Sequence, residues 1–365
     1  MEKKSFDLPR AYNYPTILFL LITPPLAFIG TWYWFSSGMT NYPTVVLTLA
    51  FFVLTGMGIT VGYHRLFAHQ SFKTNPVMEI LFLLWGAASW QGSALDWSVD
   101  HRLHHQRTDT PQDPYNIRQG FWYAHILWLF HKRQRQTHPE RDRDLFQNPR
   151  IMWQDRYYGI IATLMGFVLP TALAGLLWQD FWGGFFLAGV LRMTVNHHLT
   201  FAINSICHLW GSRPYSEKHS ARDNWLAALF TYGEGYHNFH HEFPTDYRNG
   251  IKWYHWDPSK WVIFLMAKLG LAHNLKRTPV EKIILRKWQV KEKSLKALAI
   301  DKVAESLDHY RSQLTEAIAK LKFLRQYATT KPKRHPKALA PLIRRHEAKL
   351  EKLFRQAVRS PSFNV

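Results

Sequence analysis

The sequence predicts an all-α integral membrane fold, with four transmembrane helices and a cytoplasmic helical cap that carries clustered histidines. Three observations support this. Four apolar runs each approach the roughly 20 residues that a bilayer requires. Lys and Arg fall on one side only of the segments that join them. The 16 Trp, 16 Tyr and 24 Phe, 15% of 365 residues, fit the aromatic belts of a membrane protein.

The runs lie at about 16–35, with Pro24 and Pro25 inside, then 44–63, 158–178 and 181–203. A further run, Val77–Trp90, is too short to cross and suits an interfacial or buried helix. The first ten residues are polar for too long to open a cleavable signal, so 16–35 is expected to stay as an anchor. The link at 36–43 has no Lys or Arg, and Gln179-Asp180 alone joins the last two runs. The loop from His64 to Asp155 is rich in both, from Arg65 and Lys73 to Arg143 and Arg150. The positive-inside rule then places both termini and this loop in the cytoplasm, at the inner membrane if the source is bacterial. Arg192, Asn196, His197 and His198 fall within the fourth run, which reads as a short tilted span whose second half has left the bilayer.

The formal charge of +20 is uneven. Residues 281–365 hold 21 Lys and Arg against 8 Asp and Glu, while the first 280 hold 25 against 18. The chain thus divides into a membrane domain at 1–278 and a basic helical extension at 279–365. The basic balance belongs mainly to that extension, and no nucleic acid is expected as a partner. One cysteine, Cys207, excludes a disulfide scaffold, a Cys-ligated zinc site and a Cys-held iron–sulfur cluster.

The 20 histidines are clustered. His64 and His69 directly follow the second run. His101, His104 and His105 form one HxxHH group, and His237, His240 and His241 a second. Spacings of three and four residues share a helix face, so each HxxHH is expected to point one way. Imidazole is the commonest metal ligand and suits Fe, Zn, Cu and Ni. Eight clustered histidines exceed the needs of one first-row ion and suit two. No HExxH occurs, and the clusters hold no carboxylate. Asp100 and Glu242 flank two clusters and read as groups that orient a ligand ring from outside.

The stretches Gly62-Tyr-His-Arg-Leu-Phe-Ala-His69, Trp97-Ser-Val-Asp-His-Arg-Leu-His-His105, Asn204-Ser-Ile-Cys-His208 and Gly233-Glu-Gly-Tyr-His-Asn-Phe-His-His241, continued by Tyr247-Arg248, resemble the membrane fatty acyl desaturases of the stearoyl-CoA type. The resemblance covers about residues 15–275. It implies a di-iron centre of two Fe ions held by His64, His69, His101, His104, His105, His208, His237, His240 and His241, with Asn204 acting through a water. It also implies a bent acyl tunnel lined by Gln91, Trp97, Thr200 and Phe201, where the animal enzymes have Trp at the last position. The implied reaction is an O2-dependent cis desaturation, delta-9, of a saturated acyl chain.

On the head-group side the animal enzymes' Asn and Arg fall on Gly92 and Val99. The basic pair Lys132 and Arg133 remains and would draw a phosphate-rich carrier. Acyl-CoA is the favoured substrate, ahead of acyl-carrier protein or a glycerolipid. His125, His131, His197, His198, His219 and His255 lie outside the motifs and read as structural or interfacial.

The chain carries no His-Pro-Gly-Gly and no Gly-rich nucleotide loop, so the external electron donor is expected to be a ferredoxin, rubredoxin or b5-type cytochrome with its reductase. A membrane di-iron alkane or fatty-acid hydroxylase, and a non-catalytic metal transporter or sensor, are the alternative readings. In the extension, Ala297–Gln326 reads as an amphipathic helix, with Leu298, Val303, Leu307, Leu314, Ile318, Leu321 and Leu324 in helical spacing. A second helix is expected from about Leu342 to Val358.

Overall fold

A computed structural model of the chain describes residues 11–38, 40–132, 135–296, 301–330 and 336–360. It is mostly helical and divides into two compact units, Met1–Ser212 with His219–Lys276, and Arg213–Lys218 with Arg277–Val365.

Among the described residues three helices are long and apolar enough to cross a membrane: α1 (Tyr14–Ser36), α2 (Tyr42–Ala68) and α5 (Tyr158–Trp178). Between α2 and α5 lie α3 (Pro76–Ala87) and α4 (Ala94–Arg107). Beyond α5 come α6 (Arg192–Leu209) and the short α7 (His237–Glu242). Asn13, Asn75 and Ser93 cap α1, α3 and α4 by accepting backbone N–H groups, which explains where each helix starts. The outer faces of α1 are apolar and exposed, as at Leu21, Phe28, Ile29 and Trp32, as lipid contact demands.

The fourth expected span, 181–203, is not among the three. It is helical from Phe181 through a π-helical stretch at Gly184–Leu191 into α6, but its second half is polar. Three of its polar groups, Arg192, Asn196 and His197, face inward, while His198 is exposed. Arg192 is buried and donates to the carbonyls of Ala88, Gly166 and Ala188. Asn196 bonds Phe52 O and Thr55 Oγ1, and His197 Nε2 lies 2.7 Å from Ser89 O. Protein groups, rather than water, satisfy these three side chains.

Two polar knots position the helices. Asp180 accepts from Trp34 Nε1 at 3.0 Å, from Thr44 Oγ1 at 2.5 Å and from Gly183 N–H at 2.7 Å, which ties the ends of α1 and α2 to the turn after α5. Arg65, at the end of α2, donates to Glu234 at 2.9 Å and to Tyr247 O at 2.8 Å, and lies 2.9 Å from Asp257. Asp257 also accepts the N–H groups of Asn249, Gly250 and Lys260, so one buried guanidinium holds the whole 234–260 segment against α2. A two-residue antiparallel pair, β1 (Lys73–Thr74) with β2 (Ala272–His273), closes the same unit. Its core gathers Ile59, Leu66, Phe72, Leu83, Leu95 and Ile263.

The extension, expected to hold two helices, is a three-helix assembly. It consists of α8 (Val280–Lys296), α9 (Asp301–Thr330) and α10 (Pro336–Val358), packed through Ile284, Trp288, Leu314, Leu321 and Leu350. Arg325 on α9 pairs with Glu281 on α8 at 3.1 Å and with Glu347 on α10. Residues 213–218 join this unit, with Glu217 on Lys293 at 2.8 Å and Tyr215 beneath Lys287. Leu298 and the side chain of Val303 lie outside the described residues.

Gly58 on α2 approaches α3 so closely that a Cβ would lie 2.4 Å from Gly86 N and 2.6 Å from Trp85 C. Both neighbours are backbone and cannot rotate away. Gly58→Ala is therefore expected to destabilise the protein by about 1–3 kcal/mol, as overpacking does, seen as a lower unfolding midpoint in detergent.

Candidate metal centre

One unusual piece of backbone aims the first two histidines. The last part of α2, Gly58–Ala68, is π-helical, and His69 N–H bonds His64 O at 3.0 Å, a five-residue step. In an α-helix residues five apart diverge by about 140°. The wider turn brings His64 and His69 back to one side, with ring centroids 4.8 Å apart. This conformation explains the HxxxxH spacing.

The HxxHH groups do not each point one way. The structure gathers His64, His69, His101, His105 and His240 into one group, and His104, His208, His237 and His241 into another. Within each group the nitrogens lie within 4.8 Å of one another. Adjacent helical residues differ by about 100°, so His104 and His105 straddle the line between the groups, as do His240 and His241. Helix α4 supplies two rings to the first group and one to the second, and α7 does the reverse.

The contacts are between Nε2 atoms. His240 Nε2 lies 2.9 Å from both His64 Nε2 and His105 Nε2, and His69 and His101 are 2.8 Å apart. In the second group, His241 Nε2 lies 3.1 Å from His237 and 3.2 Å from His104, and His237 lies 3.1 Å from His208.

The outer nitrogens are held elsewhere. His64 Nδ1 is 2.9 Å from Glu234, His101 Nδ1 3.2 Å from Tyr115 Oη, His104 Nδ1 2.8 Å from Asp113, and His208 Nδ1 2.7 Å from Ser220 Oγ. An imidazole that donates from Nδ1 presents a lone pair at Nε2. Several lone pairs facing one another at about 3 Å repel unless a cation lies among them, so this donor set fits a metal.

Burial, and then repulsion between neighbouring rings, pushes His69, His101, His105, His240 and His241 well below the usual imidazole range. His237 shifts the same way, by burial and by His104. These rings are neutral and ready to bind. Burial would raise Glu234, but His64 and Arg65 prevail and hold its carboxyl down at about 2. Glu234 and Asp113 are the carboxylates at the outer nitrogens of His64 and His104, in addition to the flanking Asp100 and Glu242 expected from the sequence. Nothing in helical spacing singles out Glu234, Asp113, Tyr115 or Ser220, because each lies in a loop.

A cavity of about 640 Å³ adjoins the first group and is lined by His64, His101 and His237 together with Gln91, Trp97, Thr200, Phe201 and Asn204. Gln91 Nε2 donates to Thr200 Oγ1 at 2.9 Å, and Trp97 stacks on His101 with centroids 4.8 Å apart. Phe201 is buried against His197. Lys132 is exposed and does not line this cavity, and Arg133 lies outside the described residues. Of the histidines outside the motifs, His125 bonds Ser205 and His198, His255 stacks on Tyr236, and His219 lies with its ring centroid 5.0 Å from that of His241.

Residues 37–264 match the family model "Fatty acid desaturase". The chain is 44% identical over 253 residues to a probable acyl-CoA desaturase of Schizosaccharomyces pombe, covering 69% of this chain and 53% of that protein. It is 39% identical over 303 residues to acyl-CoA desaturase 1 of Saccharomyces cerevisiae, covering 81% and 59%. It is 39% identical over 242 residues to stearoyl-CoA desaturase 5 of Bos taurus, covering 65% and 72%. The chain therefore spans between half and three-fifths of the length of the two fungal relatives. With more than half of its residues inside the family model, and with the histidine stretches that first pointed there gathered in one place, the chain belongs to the fatty acid desaturase family.

Proposed function

We propose that this integral membrane protein is an O2-dependent fatty acyl desaturase that introduces a cis double bond, at delta-9, into an acyl-CoA chain. The observation that carries the reading is a set of clustered imidazoles, free of carboxylate ligands, beside a cavity of about 640 Å³, large enough for an alkyl chain. Similarity to acyl-CoA desaturases supports the substrate class. His64, His69, His101, His105 and His240 would hold one iron. His104, His208, His237 and His241 would hold the other, with Asn204 acting through a water. When bound, two irons supply the reduction of O2 coupled to removal of hydrogen from adjacent methylenes.

The chain's own residues do geometric work. A methylene run has no polar handle, so its register comes from the shape of the cavity. Gln91 and Thr200 close one wall through their hydrogen bond, and Trp97, fixed by His101, puts an aromatic surface beside the proposed iron ligands. We assign four spans, with 181–203 as the fourth, both termini and the site cytoplasmic, and the membrane domain at 1–278.

Expression in a host that makes no unsaturated fatty acids, followed by gas chromatography of its lipids, tests the activity. A cis monoene, nine carbons from the carboxyl, is expected. An alcohol would favour a hydroxylase, and unchanged lipids would contradict the proposal. In the same assay His101→Ala, His208→Ala and His240→Ala are expected to abolish product at wild-type protein levels, while His255→Ala keeps most of it.

The depressed imidazoles also set a pH dependence. Unfolded histidines titrate near pH 6.5. The folded groups titrate lower, so unfolding takes up protons as pH falls below about 6.5, and stability is lost over that window. The metal-free protein is expected to unfold at a lower temperature at about pH 5.5 than at about pH 7.5, by calorimetry in detergent.

The electron balance is fixed by stoichiometry. Reducing O2 to two waters takes four electrons, and the acyl chain provides two. Two more must come from an external carrier. Purified protein with substrate and O2 is expected to make no more than about one product per pre-reduced site. An acidic carrier with its reductase restores turnover, at a rate that falls as salt rises, because the chain is basic.

A further inference from the structure

One turn, residues 108–116, reaches three of the nine imidazoles from outside. Tyr115 meets His101 Nδ1 and Asp113 meets His104 Nδ1, at the distances given above. The third link runs through a hydroxyl. Ser220 donates its O–H to Asp109 Oδ1 at 2.6 Å and its N–H to Asp109 Oδ2 at 2.7 Å, while its Oγ lies 2.7 Å from His208 Nδ1. Asp109 N–H in turn donates to Asp113 Oδ2 at 2.9 Å. Asp109 has φ +64°, a left-handed conformation that Asp tolerates better than most residues.

The proton count decides the direction of each bond. A serine hydroxyl has one proton to give. Both oxygens of Asp109 accept from Ser220, so the proton of Ser220 is committed there. His208 Nδ1 must then be the donor to Ser220 Oγ. This fixes the tautomer of His208 and leaves the lone pair of Nε2 facing His237 Nε2, 3.1 Å away. Position 220 belongs to none of the histidine motifs.

We propose that Ser220 and Asp109 are positioning residues of the four-histidine group, setting both the tautomer and the ring angle of His208. The same turn holds His104 of that group directly and His101 of the five-histidine group through Tyr115. One short segment therefore sets the spacing of both groups. This inference rests on the metal-centre reading given above.

The test uses the full-length protein in detergent, stripped of metal and titrated with Co²⁺, whose visible absorption reports its ligands. The wild type is expected to take up about two ions per chain. Ser220→Ala is expected to keep one ion at wild-type affinity and to bind the second about 10- to 100-fold more weakly, with a changed spectrum. Ser220→Thr, which keeps the hydroxyl, restores both. Wild-type uptake of two ions with Ser220→Ala unchanged in affinity and spectrum would overturn this inference alone. So would loss of both ions in Ser220→Ala together with a lowered unfolding midpoint of the metal-free protein that Ser220→Thr does not correct, since that pattern means a purely structural role. A wild-type chain that takes up no Co²⁺ would overturn the metal-centre reading itself.

Discussion

Nine imidazoles crowded nitrogen to nitrogen are the arrangement on which the rest of the molecule depends. Rings whose inward lone pairs face one another repel. The arrangement persists because each ring is fixed from its far side, or by the backbone that carries it. Glu234, Asp113, Tyr115 and Ser220 take the outer nitrogens of four rings. These partners decide which nitrogen holds the proton, and so decide that the inner one is free to bind a cation. A site built in this way depends on loops as much as on the helices that bear the histidines.

Those loops need anchors, and the anchors are buried charges. Arg65 is the central one, because it follows His64 directly and pairs with Glu234, the residue that holds His64 from outside. The same guanidinium reaches Asp257, which organises the backbone of 249–260. A buried ion pair of this kind contributes little net stability compared with an apolar replacement, but breaking it leaves an uncompensated charge. Its value here is geometric. It locks the end of a membrane helix to the segment that carries His237, His240 and His241. Arg192 does similar work deeper in the protein, joining three carbonyls near the cavity wall.

Much of this was legible in the residues. Hydropathy located the three helices that are long and apolar enough to span, and local spacing found eight of the clustered histidines. His208 came only through family resemblance, since a lone histidine after an apolar run has no periodic signal. The partition of the rings was not legible. Neighbours such as His104 and His105 look like one patch on a helical wheel, yet an angular step of about 100° sends them to different groups. The π-helical turn at 58–68 is likewise invisible to a period fixed at 3.6. Sequence adjacency offered Asp100 and Glu242, but the carboxylates that loops bring to His64 and His104, Glu234 and Asp113, have no such signal. In the extension, dense charge over Val280–Lys296 hid a helix whose apolar side, Ile283, Ile284, Trp288 and Leu295, is buried.

The central claim is that the two groups hold two irons through imidazole, with Asn204 acting through a water and no carboxylate ligand. Iron quantification combined with X-ray absorption at the iron edge, on protein purified from iron-replete cells, tests it most directly. The account predicts about two irons per chain, a first shell of nitrogen and oxygen with strong imidazole scattering, and no short metal–metal vector of the kind that bridging carboxylates impose. A single iron per chain, or a carboxylate-bridged pair, would contradict it.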